Sequence, residues 1–248
     1  NTFTNAMAKW HLETALDVLG WLESNHPEKH PELAASLDLT AKRLAHWTEV
    51  IQSMYLLQDP ETGLIEQFAG YFDLTDADLA ALRDPGRTRS MQAILDIEGC
   101  AETQILKQPD VLMLQYLLPE RFTAEQVRIN YNYYDPRTDH EHGSSLGPSI
   151  SAIMACRVGD AESAYQHFMR AARADLLDVR HNASDGIHAA SAGGLWQAAV
   201  LGFGGLQLHA DGAWTNQPQL PHHWTRLAFK FYSRGRLETV DIQPHRQD

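Results

Sequence analysis

The chain has 248 residues, 44% of them apolar, which is enough to fill the core of one large domain or of one domain with a small partner and sets aside a disordered chain. Acidic side chains outnumber basic ones 32 to 20, a net charge of -12, which argues against a nucleic-acid backbone or an anionic membrane surface as partner and favours a small substrate. Cys100 and Cys156 support neither a disulfide framework nor a Cys-rich zinc site, so a reducing cytoplasm is expected, and no stretch approaches the ~18 apolar residues of a membrane span.

Helical periodicity dominates from the first residue to about residue 209. In NTFTNAMAKWHLETALDVLGWLESNHP the side chains Leu12, Ala15, Leu16, Leu19 and Leu22 share one face, and Pro27 ends the run. Leu44, Trp47, Ile51 and Met54 repeat that spacing in TAKRLAHWTEVIQSMYLL. Further helices are predicted at TDADLAALRD, at KQPDVLMLQYLL, after a Thr123 to Gln126 capping box, at SISAIMACRVG, at DAESAYQHFMRAARADLLD and at GGLWQAAVLGFGGL. Such helices, joined by loops that carry the Gly, His and Asp residues, suggest antiparallel pairs with a working face made of loops. Beyond residue 220 the period changes to two. Leu227, Phe229 and Phe231 alternate with polar or small neighbours, and Arg234-Gly235 suits a turn, so RLAFKFYSRGRLETVDI reads as a β-hairpin that needs further partners.

The chemistry concentrates in YDPRTDHEHGSSLGPS, residues 134–149. His140, Glu141 and His142 invite a metal, but no HExxH and no second ligand cluster follows, so a polar loop with hydrogen-bonded histidines is the better reading and no metal is expected. Gly143, Ser144 and Ser145 precede a helix expected to start near Pro148, where main-chain N–H groups and hydroxyls can converge on an anion. DGIHAASAGGLWQAAV repeats the pattern with His188, Ser191, Gly193 and Gly194. Helix capping by Ser191, with glycines for close packing, explains the second loop equally well. Lys107 and Gln108 head an apolar helix, where they are surface caps or sugar ligands. A lysine there opposes the helix dipole. Trp10, Tyr71, Phe72, Trp196 and Trp214 are candidate sugar-stacking rings, although helical aromatics more often belong to the core.

Taken in order, NTFTNAMAKWHLETALDVL, LIEQFAGYFDL, TQILKQPDVLMLQYLL, YYDPRTDHEHGSSLGPSISAIMA, DGIHAASAGGLWQAAVLGFGGL and LPHHWTRLAFKFYSRGRL resemble the catalytic domain of glycoside hydrolase family 65, which includes phosphorylases of α-linked glucose disaccharides and some related hydrolases. The resemblance covers residues 1 to about 240. It implies a mainly α fold, part of an (α/α)6 barrel over residues 1–216, followed over residues 217–248 by the start of a small C-terminal β-sandwich.

The implied chemistry is inverting phosphorolysis of an α-glucoside. Inorganic phosphate, a co-substrate in a reaction with no cofactor, attacks the anomeric carbon while a glutamic acid protonates the departing oxygen. By resemblance Lys107 and Gln108 hold the glucosyl unit and His142, Gly143, Ser144, Ser145, His188, Ser191, Gly193 and Gly194 cradle the phosphate, while Glu66 and Gln67 in IEQFAGY are candidate acceptor contacts. The implied partners are a small sugar and phosphate, with no nucleic acid and no membrane, and a homodimer is the assembly to look for.

Two departures shape the expectations. The family's general-acid glutamate lies in a Gly-Pro-Asp-Glu motif upstream of the stretch matching NTFTN, so this chain is expected to be a fragment lacking the proton donor, the first barrel helices, a donor-sugar Trp-Asp pair and an N-terminal β-sandwich. Uncovered helix faces should then leave a large exposed apolar surface or an oligomer. The second departure is Glu141 before HGSS, a candidate base for a hydrolytic relative. A carboxylate beside a phosphate would repel the dianion, so Glu141 facing inward favours hydrolysis and Glu141 facing outward favours phosphorolysis. A non-catalytic sugar- or phosphate-binding helical module is the third reading.

Overall fold

The computed structural model describes residues 1–79, 82, 87, 89–179, 181, 183–209 and 211–243. The chain divides into two compact units, residues 1–59 with 65–69, and residues 60–64 with 70–248.

The first unit holds α1 (Thr2–Asn25), α2 (His30–Ser36) and α3 (Ala41–Ser53). Asn1 caps α1 by accepting the Thr4 N–H, and Thr40 caps α3 by accepting the Arg43 N–H. The two faces expected from the sequence are those that pack: Leu12, Ala15, Leu16, Leu19 and Leu22 on α1, and Leu44, Trp47, Ile51 and Met54 beside α3, are all half-buried. Only Thr2 and Ala6 are buried on these three helices. Val18, Trp21, Leu37 and Tyr55 are exposed.

The second unit contains α4 (Met91–Ala101), α5 (Asp110–Leu117), α6 (Ala124–Tyr134), α7 (Leu146–Arg157), α8 (Ala161–Leu176) and α9 (Ala189–Gln197), which runs on into a π-helical stretch, Ala198–Phe203. The capping box at Thr123 and Gln126 starts α6 as expected, each residue bonding the other's main chain. Helix α7 is the centre of the core. Gly147 through Cys156 are all buried, as befits a helix apolar on every side, and it packs against α5, α6, α8 and α9. Ala164, His167, Ala171 and Ala174 form the buried stripe of α8, and the small size of the three alanines allows a close approach to α7. Cys156 is among the buried side chains of α7, and burial pushes its thiol up to about 12.

Two strand pairs follow. β1 (Leu206–Leu208) pairs antiparallel with β2 (Trp214–Asn216), and β3 (Leu227–Ser233) with β4 (Arg236–Ile242), where Ser233 faces Arg236 across the Arg234-Gly235 turn. The expected alternation holds in β3: Leu227, Phe229, Phe231 and Ser233 are half-buried, while Ala228, Lys230 and Tyr232 are exposed.

Several elements differ from the sequence reading. The helix expected over GGLWQAAVLGFGGL widens into a π-turn and ends before β1, so helical order stops short of residue 209. Helix α7 begins at Leu146, two residues before Pro148, with proline in its first turn where the missing N–H costs nothing. Helices α2 and α4 are additions. α4 is interrupted at Asp96, whose φ of 59° breaks the periodicity on which a sequence reading depends. The helix expected over TDADLAALRD falls partly outside the described residues, and its first residue, Thr75, is instead bridged to Thr103. No helix among the described residues is long and apolar enough to cross a membrane.

Candidate functional site

The segment before α5 and the loop before α7 are held side by side. Leu106 and Thr138 form a parallel bridge, with the Leu106 N–H donating to the Arg137 carbonyl and the Asp139 N–H to the Leu106 carbonyl, each at 2.8 Å. This places Lys107 and Gln108, both exposed, beside the Gly-Ser-Ser turn. Gln108 Nε2 donates to Ser144 Oγ at 3.0 Å, and the Leu146 N–H donates to the same oxygen at 3.2 Å. Both acceptor positions of that hydroxyl are therefore filled, and what it has left to offer is its own hydrogen.

Two carboxylates, the buried Asp139 and the half-buried Asp135, fix the loop from behind. Asp139 takes the two terminal Arg87 guanidinium nitrogens, at 2.7 and 3.1 Å, and the main-chain N–H groups of Met91 and His142. Burial pushes its pKa up, but the Arg87 bonds and the Met91 N–H reverse this and leave it below the usual carboxylate range. Gly143 donates its N–H to the Asp139 carbonyl at 3.0 Å. A Cβ on Gly143 would lie 2.3 Å from that same oxygen, so only glycine permits this turn.

The second carboxylate, Asp135, has His140 Nε2 and His167 Nε2 at 3.0 and 3.2 Å from Oδ1. Burial opposes its ionisation, yet the two imidazoles bring its pKa well below the ordinary value. His167 is itself lowered, chiefly by burial. Asp135, His140 and His167 are also spaced as metal ligands could be. Arg170, which can only donate, faces His167 Nδ1 at 3.3 Å, so Nδ1 is the bare nitrogen and Nε2 carries the hydrogen towards Asp135. His140 Nε2 likewise sits 3.1 Å from the Asp135 carbonyl, another acceptor. A second grouping, Glu162 with His222 and His223, is exposed, and one oxygen of Glu162 is taken by the N–H and Nδ1 of His222.

The loop before α9 meets the same corner. Ser191, buried in the first turn of α9, donates to the Ser145 carbonyl at 3.4 Å. Gly194 lies against Ser149 of α7, where a Cβ would be 2.5 Å from Oγ, whereas Gly193 has open space around it. His188 stands at the N-terminal boundary of α9, tied to Asp175 of α8. Thus Ser144, Ser145, His188, Ser191 and Gly193 belong to two loops joined by direct contact. Ser191 acts there as a tie between loops rather than as the helix cap, a place taken by His188 without a side-chain bond, and of the two glycines Gly194 alone is a packing contact.

Glu141 lies at the edge, with its side chain 38% exposed and Oε2 3.8 Å from the Arg87 guanidinium. With His140, Ser145, Tyr165, Arg170 and Arg173 it lines a cavity of about 390 Å³. Glu66 and Gln67 belong to the first unit, where their carbonyls accept from Thr2 Oγ1 and Thr2 N–H; the Gln67 side chain is buried. Of the candidate stacking rings, Tyr71 is core, its hydroxyl donating to the Gln104 carbonyl at 2.7 Å, and Trp214 packs edge-on against Phe231. Trp196 is exposed. Sequence reasoning missed Arg87, Asp139, Asp135, His167 and Asp175 as supports. Asp135 and Asp139 were visible within YDPRTDHEHGSS, but their partners are distant in the chain.

The model of the glycosyl hydrolase family 65 central catalytic domain matches residues 1–197. The chain belongs to glycosyl hydrolase family 65. Similar family 65 proteins include a kojibiose phosphorylase of Caldanaerobacter subterraneus subsp. tengcongensis, 41% identical over 98% of this chain and 31% of its own length. An alpha,alpha-trehalose phosphorylase of Thermoanaerobacter brockii is 36% identical over 98% of the chain and 31% of its own length. A solved structure described as a candidate kojibiose phosphorylase from human microbiome superposes with a TM-score of 0.87 at 34% identity, covering 98% of this chain and 32% of that one. The chain therefore spans about a third of the length of the relatives it matches. Its fold is the mainly α one expected of family 65, a part of the (α/α)6 barrel followed by the first strands of the C-terminal β-region.

Proposed function

We propose that the protein is an inverting phosphorylase of α-glucosides and that residues 1–248 supply its phosphate corner and part of its donor-sugar site. The observation that carries this reading is the state of Ser144. Its oxygen accepts from both Gln108 and Leu146, so its hydroxyl hydrogen is left to donate, and donors at such a corner suit an oxyanion. The contact between Ser191 and Ser145 supports a single corner built from two loops, and Gln108 gives it a sugar-side neighbour. In the reaction a phosphate oxygen attacks the anomeric carbon, the glycosidic C–O bond breaks, and the leaving oxygen takes a proton from a glutamic acid. The Gly-Pro-Asp-Glu motif that carries that acid in the family does not occur within residues 1–248.

Hydrolysis with Glu141 as base is the second reading, favoured by the place of Glu141 beside Ser145 on one cavity wall. Against it, the Glu141 carboxylate leans on Arg87, already held by Asp139, and so sits on the supporting side of the loop. Incubating the full-length protein with α-linked glucose disaccharides, with and without phosphate, separates the two. Phosphate-dependent release of β-glucose 1-phosphate supports phosphorolysis, and glucose release that ignores phosphate overturns it.

A further inference from the structure

Asp175 is near the C-terminal end of α8, and His188 begins α9. One carboxylate meets that histidine twice: Oδ2 accepts its main-chain N–H at 2.8 Å and Oδ1 lies 2.5 Å from Nδ1. A carboxylate only accepts, so Nδ1 carries a hydrogen and the ring is held in one tautomer and one orientation. Nε2 makes no hydrogen bond among the described residues. The side chains are 23% and 29% exposed, so the pair lies at the molecular surface rather than in the core.

We propose that Asp175 is a positioning residue that acts through His188, holding the imidazole by Nδ1 so that Nε2 is the atom presented to the phosphate; this rests on the phosphorolytic reading above. Nε2 then takes the hydrogen of a phosphate O–H or, on a protonated ring, donates to an oxyanion.

The two-point contact makes asparagine an informative replacement. An amide of the same shape offers one oxygen and one NH2, while His188 presents two donors. The main-chain N–H of His188 cannot change its role, so the amide oxygen goes to it and the NH2 faces Nδ1. The ring must then surrender its Nδ1 hydrogen and carry it on Nε2. Asp175→Asn therefore exchanges the tautomer without removing a heavy atom.

The test uses the full-length protein labelled with 15N-histidine, with His188→Gln assigning the signal, alongside phosphorolysis kinetics. The wild type is expected to show a protonated Nδ1, and Asp175→Asn an unprotonated Nδ1 with a protonated Nε2. The variant's KM for phosphate should rise about tenfold or more, the scale of a lost charge-assisted bond, with the glucoside KM nearly unchanged. A purely structural role would move both KM values together. A bare Nδ1 in the wild type overturns the proposal even if the variant does not fold, and so does an Asn variant that keeps the wild-type spectrum and phosphate KM. If the wild type shows no phosphate dependence at all, the phosphorylase reading falls, while the spectrum still decides what Asp175 does to the ring.

Discussion

Arg87 and Asp139 meet through two guanidinium–carboxylate hydrogen bonds, with both side chains almost completely buried although they stand 52 positions apart in the chain. Asp139 also accepts the N–H of His142, so the pair holds the main chain that leads into Gly143 and Ser144. Removing one member of such a pair leaves an uncompensated charge, which costs about 3–5 kcal/mol. Arg87→Met should therefore lower the unfolding free energy by about 3 kcal/mol, the smaller end, because Met91 and His142 still serve the carboxylate. Urea unfolding followed by circular dichroism measures it, and an unchanged midpoint would show that the pair does not anchor the loop.

Close packing at Gly194 gives a second prediction. Ala at this position would set its Cβ 2.5 Å from Ser149 Oγ and 2.7 Å from Ser149 Cβ. Gly194→Ala should destabilise by about 1–3 kcal/mol, the usual cost of overpacking. Ser149→Gly removes both atoms in the way, so the double variant should recover part of that loss. Strictly additive effects in the four-way cycle would mean that the two helices part without penalty.

The buried ionisable cluster predicts how stability falls with acid. His167 has a depressed pKa in the folded protein, so below its ordinary value of 6.5 the unfolded chain binds more protons and stability declines. Asp135 and Asp139 are also depressed, so their contribution is present above the ordinary value of 3.8 and is lost as the pH falls through their folded values. Melting temperature should thus decline in two stages, one starting near pH 6.5 and one below pH 4. His167→Gln should abolish the earlier stage, and a first stage that survives in that variant would assign it elsewhere.

Much of this architecture is legible in the sequence because the apolar faces are regular. Leu44, Trp47, Ile51 and Met54 pack as their spacing dictates, and the alternation in β3 survives into the fold. Helix α2 escapes such reading because none of its seven residues is buried, and α4 because only Met91 is buried and Asp96 interrupts the turn. A strand of three residues such as β1 is too short to show a period. The Gly-Ser-Ser and Gly-Gly loops announce themselves by composition. What holds them does not: Arg87 reaches Asp139 across 52 residues and Asp175 reaches His188 across 13, and neither spacing carries a local signal.

Glu141 offers a direct discrimination between water and phosphate as nucleophile. A Glu141→Gln change in the full-length protein should leave phosphorolysis within about twofold of wild type, since the half-exposed carboxylate lies 3.8 Å from Arg87, whose charge Asp139 already balances, and pairs open to solvent contribute little. Loss of activity by about a hundredfold or more, the scale of a missing general base, would make Glu141 a catalytic group.

The most direct test of the two-loop corner is the phosphate affinity of the full-length protein, measured by calorimetry for wild type, Ser144→Ala, His188→Asn and the double variant. Because both loops contact one anion in this account, each single change should weaken binding by about tenfold, and the pair should show an interaction energy above about 0.5 kcal/mol. Wild-type affinity in either single variant, or fully independent effects in the double, would contradict it.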